Sequence, residues 1–196
     1  MKAVKLYQTQ KVLPIQDITL AIYFPGITMH VPRIYVACLA AYNNACLHGV
    51  WIDASDDIDD IHDQIQAVLK ESPEPDAEEY AIHDYEDFAG YEVGEYEGIE
   101  TVHQIACFIE EHGALGAQLL NDHDVDEAEK MLEENYRGCF TSLADYARDL
   151  IEQTVDIPES IQPYVDYYRM GRDMDLSGDI FTIETARDEV HVFWSR

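Results

Sequence analysis

Pro32-Arg33-Ile34-Tyr35-Val36-Ala37-Cys38-Leu39 and His48-Gly49-Val50-Trp51-Ile52-Asp53 are two β-branched and aromatic runs on either side of Tyr42-Asn43-Asn44. Their texture predicts two strands joined through a turn. Directly after them Ile58, Ile61, Ile65, Val68 and Leu69 recur at spacings of three and four, so residues 56–70 read as a helix with one apolar face. Asp56, Asp57, Asp59, Asp60 and Asp63 crowd its start, where the positive end of the helix dipole favours carboxylates. Ser72-Pro73-Glu74-Pro75 ends it, and Glu79-Tyr80-Ala81-Ile82-His83-Asp84 reads as a third strand. Three strands around one helix make a small α+β unit.

Outward from this unit, the glycine-punctuated stretch 90–98 reads as a linker. Three short helices are expected over Ile99–His112, Ala114–Asn121 and Asp124–Tyr136, the last opened by Asp124 with Glu127 three residues on. A helix over Thr141–Gln153 is capped by Ser142 with Asp145, and a further one is expected from Pro158 to Leu176, ahead of Gly178. Phe181–Glu184 and Val190–Trp194 close the chain as a hairpin. On the N-terminal side, Asp17–Phe24 has the texture of a strand. The expected fold class is α+β, with an N-terminal extension over 1–31, a sheet-and-helix domain over 32–96, a helical domain over 97–136 and a C-terminal α+β domain over 137–196.

Charge divides the chain more sharply than length does. Forty acids against 12 Lys and Arg give a net charge of −28 over 196 residues, with a pI near 4.2. Residues 1–33 carry four bases and one acid, net +3; residues 34–129 carry 25 acids and one base, Lys70, net −24; residues 130–196 are net −7. A disordered acidic tail would lack aromatic residues, yet the −24 stretch holds Tyr35, Tyr42, Trp51, Tyr80, Tyr85, Phe88, Tyr91, Tyr96 and Phe108. Salt adaptation would spread acid evenly, which the positive first 33 residues contradict. A folded anionic surface remains. Two carboxylates about 6 Å apart repel by roughly 0.7 kcal/mol in water, and a few dozen such pairs rival the whole net stability of a domain. An elongated body lessens that repulsion, and a cost of this size points to charge that works.

The same charge argues against nucleic acid and anionic membranes as partners, since neither would release counterions on binding. The longest apolar run, Ile34 to Tyr42, is far shorter than the roughly 20 residues of a bilayer span, and the polar start lacks a signal-peptide core, so a cytoplasmic location is expected. Cys38, Cys46, Cys107 and Cys139 have no regular spacing and read as semi-buried thiols. Asp122, Asp124, Asp126 and Glu133 fall on positions 1, 3, 5 and 12 of a calcium loop, but Glu127 stands where the sharp turn needs glycine; the stretch reads as a helix N-terminus dressed with acids. No histidine pair or Cys/His spacing suits a metal, and no nucleophile elbow or glycine-rich phosphate loop is present. No cofactor, metal or catalytic residue is assigned, and an enzyme is the less favoured class.

The run Pro32–Ala54, then Glu79–Glu86, then Pro163-Tyr164-Val165-Asp166-Tyr167-Tyr168-Arg169-Met170-Gly171-Arg172-Asp173-Met174-Asp175-Leu176-Ser177-Gly178 resembles, in order and spacing, the ArdA antirestriction proteins. The resemblance covers residue 32 to the end. It implies an elongated homodimer of three small domains, a DNA mimic whose carboxylates occupy the DNA-binding groove of type I restriction-modification enzymes. It also implies that the C-terminal domain supplies the dimer contact and that Tyr164, Asp166, Tyr167, Arg172, Asp173 and Gly178 are antirestriction-motif residues. Tyr168 and Gly171 stand where an acid and an alanine are expected from it. Read from spacing alone, Tyr164 and Tyr167 share a helix face, Arg169 and Asp173 can pair, and Gly178 stops the helix.

The mimic surface is assigned to Asp56, Asp57, Asp59, Asp60, Asp63, Glu71, Asp76, Glu78, Asp84, Glu86, Asp87, Glu92, Glu95, Glu97, Glu110, Glu111, Asp122, Asp124, Asp126 and Glu129. Duplex DNA carries one charge per roughly 1.7 Å, so an excess of 24 matches about 12 base pairs per protomer. The rival readings are an anionic decoy or acidic chaperone for another DNA-binding protein, and a metal-dependent enzyme using a carboxylate cluster. A structural component of a phage or plasmid is a weaker third.

Overall fold

The computed structural model describes residues 31–195; the expected strand over Asp17–Phe24 and the 1–31 extension lie outside the described residues, apart from Val31. The architecture is α+β, with two antiparallel three-stranded sheets and six α-helices among the described residues.

The first sheet has the order β2-β1-β3, from β1 (Arg33–Cys38), β2 (Gly49–Asp53) and β3 (Tyr80–Glu86). A five-residue helix, α1 (Leu39–Asn43), turns the chain between β1 and β2 where only a turn was expected. Helix α2 (Ile58–Lys70) covers one face of this sheet. Its Ile61, Ile65, Val68 and Leu69 are buried in one cluster with Ile34, Val36 and Ile52. Cross-strand partners share a face, so Ile34, Ile52, Val36, Ile82 and Tyr85 look toward α2. Arg33, Asp53, Glu86, Tyr35, Trp51 and Asp84 look away from it. A bulge between Tyr35 and Val36 sets this division on β3.

The stretch 90–98, read as a linker, is packed instead. Val93 is buried, and Ile82 N–H donates to Glu95 O at 3.1 Å, so the segment lies along the outer edge of β3. Helix α3 (Ile99–Leu119) spans two expected helices, broken at Gly113, whose φ of 58° and ψ of −138° no helix accommodates. Helix α4 (Val125–Glu134) follows a cap in which Asp124 Oδ1 accepts Glu127 N–H at 2.9 Å. It ends short of Tyr136, which opens β4 (Tyr136–Phe140), a strand the sequence reading missed.

The second sheet has the order β4-β6-β5, with β5 (Ile180–Ala186) and β6 (Glu189–Trp194) as the expected hairpin. Helix α5 (Leu143–Thr154) begins at the Ser142 cap, whose Oγ accepts Asp145 N–H at 3.2 Å. Helix α6 (Tyr167–Ser177) is shorter than the expected Pro158–Leu176. Pro163, which lacks a donor and constrains Gln162, sits in a single 3-10 turn over Gln162–Tyr164, and Asp166 restarts the helix by accepting Arg169 N–H at 3.0 Å. Gly178 ends α6 at φ 74°, the left-handed cap expected of it.

One apolar cluster runs from Ile34 through Val102, Ile105, Ile109 and Leu119 to Phe193, so α3 joins the two sheets; Tyr146, Ile180 and Val192 form a second, smaller one beneath α5 and α6. No charged side chain is buried among the described residues. The cysteines are all free, but only Cys38 is buried and Cys107 half-buried; Cys46 and Cys139 are exposed, a correction to the semi-buried reading.

Candidate anionic interaction surface

Helix α2 shows how the sequence places acids outside. At 100° per residue, Asp59, Asp60 and Asp63 fall within an arc of about 100°, opposite Ile61, Ile65 and Val68; burying the second set exposes the first. Asp57 Oδ1 caps the helix by accepting Asp59 N–H at 2.9 Å, and Asp56 lies exposed just before it. Glu71, Asp76 and Glu78 continue, exposed, through the connection to β3.

Asp84 and Glu86 point from the other face of the sheet. Asp84 Oδ1 accepts Tyr85 N–H at 2.9 Å, while Glu86 pairs with Arg33 at 3.1 Å, and the Arg33 guanidinium lies 5.6 Å from the Trp51 ring centre. Asp87, at a φ of 64°, turns the chain toward Glu92 and Glu95, all three exposed. Glu97 alone of the twenty acids is half-buried, with Oε2 accepting Gly94 N–H at 3.0 Å. Burial, then the Glu97 carboxylate beside it, pushes the Tyr91 phenol above its ordinary value.

Two contacts tie α3 to the first unit. His62 Nε2 stands 3.2 Å from Glu100 Oε1, and a His103 ring nitrogen lies 3.1 Å from Ala54 O. They set Glu100 beside α2, an acid outside the assigned set; residues 38 apart in sequence gave no signal of this. Glu110 and Glu111 are exposed farther along α3. The Cys107 thiol is pushed up by burial, then by Glu110 and Asp53. The turn into α4 brings Asp122, Asp124 and Asp126 around one cleft with Glu97, Tyr91 and Gln104, and Glu129 is exposed one turn on. The calcium-like spacing is thus spent on a helix cap, and among the described residues no three His, Cys, Asp or Glu side chains are placed to hold a metal ion.

The motif residues divide. Tyr164 is 84% exposed in the 3-10 turn and does not share a helix face with Tyr167, a correction that follows from the late start of α6. Tyr167 is half-buried, with the Arg148 guanidinium 5.3 Å from its ring centre. Asp166 caps α6, Arg169 pairs with Asp173 at 3.6 Å as the spacing suggested, and Arg172 lies 3.7 Å from the same carboxylate. Gly171 is buried against the backbone of Leu143, which the sequence gave no means of seeing.

Among the described residues no helix is long and apolar enough to cross a membrane. No curated protein matches the chain. The family model described as "Antirestriction protein (ArdA)" matches residues 34–189, which takes in all but the first residue of the first sheet, strands β4 and β5 of the second, and every motif residue named above. That match covers well over half of the chain, and the chain belongs to the ArdA family of antirestriction proteins.

Proposed function

We propose that this protein inhibits type I restriction-modification enzymes as a DNA mimic, its carboxylates occupying the groove that otherwise holds duplex DNA. One observation carries the reading. Of the twenty acids assigned to the surface all but Glu97 are exposed, and they share residues 34–129 with a single Lys or Arg, Lys70. Most of that charge has no basic neighbour in sequence to neutralise it, and is free to meet the Lys and Arg of a DNA-binding groove. Binding would draw on the counterion release that DNA itself uses. No covalent chemistry is required. The C-terminal domain, carrying the motif helix, would supply the contact of a homodimer, which doubles the length of charged surface.

The test is a titration of the purified protein against a type I enzyme with duplex DNA as competitor, at two salt concentrations. Inhibition competitive with DNA and weakened by salt is expected. Inhibition that DNA does not relieve, or that salt leaves unchanged, overturns the mimic.

A further inference from the structure

On the face of the first sheet that α2 does not cover, cross-strand partners make two rows: Asp53, Arg33 and Glu86, then Trp51, Tyr35 and Asp84. The Tyr35 and Trp51 rings belong to neither apolar cluster; they pack on each other, with centres 5.5 Å apart and planes tilted by 56°. Gly49 makes room for them. A Cβ there would stand 2.9 Å from Tyr35 Cζ, so the Tyr35 ring lies close over the glycine, beside Trp51. Against the Trp51 ring leans the Arg33 guanidinium, 5.6 Å from its centre and with Nη1 3.1 Å from Glu86 Oε1. On the other side of Arg33, Asp53 Oδ1 accepts the N–H and the hydroxyl of Ser55 at 3.0 and 2.9 Å. A ring face beside a carboxylate offers a guanidinium both of the contacts it makes best, and here a guanidinium sits on both.

We propose that Trp51 and Glu86 form a receptor for an arginine side chain of the target enzyme's DNA groove, and that Arg33 fills it in the free protein until that arginine displaces it. The receptor rests on the DNA-mimic reading for the source of the arginine. Its ligand class is set by what already lies in it. Arg33 and Lys70 are the only Lys or Arg from residue 31 to residue 129, so a base seated on an assigned mimic acid is an exception in this stretch. Both contacts of Arg33 are of the exposed kind, its side chain being 44% exposed and that of Glu86 47%, and together they hold the guanidinium by a factor of about ten. A second guanidinium, brought up and held near by the surrounding anionic surface, overcomes a hold of that size by mass action. Lysine is a poorer replacement. A planar guanidinium lies along a ring and turns its fork to the carboxylate, whereas an ammonium is a compact and strongly hydrated point charge. Arg33 thus filters partners: a groove that presents arginine here gains the site, and one that presents lysine leaves Arg33 in place.

The chain has two tryptophans, so its indole N–H resonances report Trp51 and Trp194 separately, and Trp194→Phe assigns them. Hexa-arginine and hexa-lysine peptides are titrated into the full chain at fixed ionic strength, without any enzyme. The Trp51 resonance is expected to move at lower concentrations of hexa-arginine than of hexa-lysine. Arg33→Gln should lower the half-saturating hexa-arginine concentration about tenfold, and Lys70→Gln, which removes the same charge elsewhere, by about twofold or less. Glu86→Gln should erase the preference for arginine. Against a type I enzyme, Arg33→Gln should inhibit at about one-tenth of the parent's concentration. Equal responses of Trp51 to the two peptides, or equal effects of Arg33→Gln and Lys70→Gln, would overturn the receptor. Inhibition that is the same in the parent and in Arg33→Gln, with Trp51 still taking hexa-arginine, would overturn the enzyme's arginine as its occupant. If neither parent nor variant inhibits the enzyme, the DNA-mimic reading is what fails, and the Trp51 titration by itself decides the receptor.

Discussion

Replacing Gly171 by alanine tests the crossing of α5 and α6, and the contacts are specific enough to weigh opposing effects. A Cβ at residue 171 would stand 2.5 Å from Leu143 O, 2.8 Å from Leu143 C and 3.0 Å from Leu143 Cβ. Ordinary contact between such atoms begins about 1 Å farther out, so α6 has to retreat by roughly that distance. Leu143 cannot yield easily, because it is the first residue of α5 and follows the Ser142 cap, which holds Asp145 N–H by its side chain and Tyr146 N–H by its carbonyl. Alanine gains about 1 kcal/mol over glycine in helix propensity. Against that, forcing an extra methyl into a packed interface costs about 1–3 kcal/mol, and here the obstacle is backbone. A retreating α6 also draws Met174 away from the Tyr146, Ile180 and Val192 cluster.

The balance is a net loss of about 1–2 kcal/mol, or roughly 2–8 °C in Tm for a chain of this size. Urea unfolding followed by circular dichroism measures it, with Asp175→Ala, exposed on the same helix, expected to shift stability by less than about 0.5 kcal/mol. An alanine variant as stable as the parent, or more so, would mean that propensity wins and the helices are not in backbone contact. The resemblance leads one to expect alanine at this position; the close approach to Leu143 accounts for glycine there.

Three further outcomes follow from named contacts. Gly113 holds φ 58° and ψ −138°, the mirror image of an extended conformation, so Gly113→Ala should destabilise by about 1–3 kcal/mol, whereas D-alanine introduced by semisynthesis should be tolerated; equal effects of the two would count against the break in α3. The Asp145 carboxyl is held below its ordinary value by the Thr141 and Ser142 hydroxyls, so it stabilises the fold above about pH 4 and that contribution is lost as pH falls further; urea midpoints should show the loss, and Ser142→Ala should reduce it. His191 is lowered by burial, with Glu189 opposing. Its neutral ring accepts from Tyr136 hydroxyl at 2.9 Å and donates to Thr185, whose own proton goes to Glu189, so its contribution is complete above about pH 6.5 and is lost as pH falls below that; a His191→Gln variant should flatten this part of the profile.

What the sequence showed and what it hid have physical reasons. Strands β1 and β2 were legible from their β-branched and aromatic texture, and helix α2 from its uninterrupted apolar spacing of three and four, each bounded by turn or cap residues. β4 was hidden because Tyr136-Arg137-Gly138-Cys139-Phe140 is short and its Gly138, at φ 124°, breaks any alternation. The start of α6 was misplaced because side-chain capping by Asp166 is a local bond that competes with apolar spacing, and the spacing alone favoured an earlier start. The exposure of the acids followed from periodicity on α2. On β3 it did not: plain alternation would set Ile82, Asp84 and Glu86 on one face, but the bulge turns Ile82 inward and both acids outward.

That bulge bears on how a groove could read the surface. Asp59, Asp60 and Asp63 lie on the far side of α2, and Asp84 and Glu86 on the far side of the sheet that α2 covers, so the two sets are separated by a helix and a sheet. A helix is about 10–12 Å across with its side chains, and the sheet with its outward side chains adds about as much again, which makes the acid-to-acid thickness comparable to the width of a duplex. A flat basic patch could touch only one set. A groove that closes around DNA would touch both, since a duplex also presents charge on opposite sides. Two block variants distinguish these geometries: Asp59→Asn, Asp60→Asn, Asp63→Asn on one side, and Asp84→Asn, Glu86→Gln on the other. Enclosure predicts that each weakens inhibition, that the free-energy losses add to within about 0.5 kcal/mol, and that the salt slope falls by up to about 3 and about 2 respectively. If the β3 pair is neutralised without effect while the α2 set matters, the enzyme reads one face only, and the thickness of the first unit has no part in the mimicry.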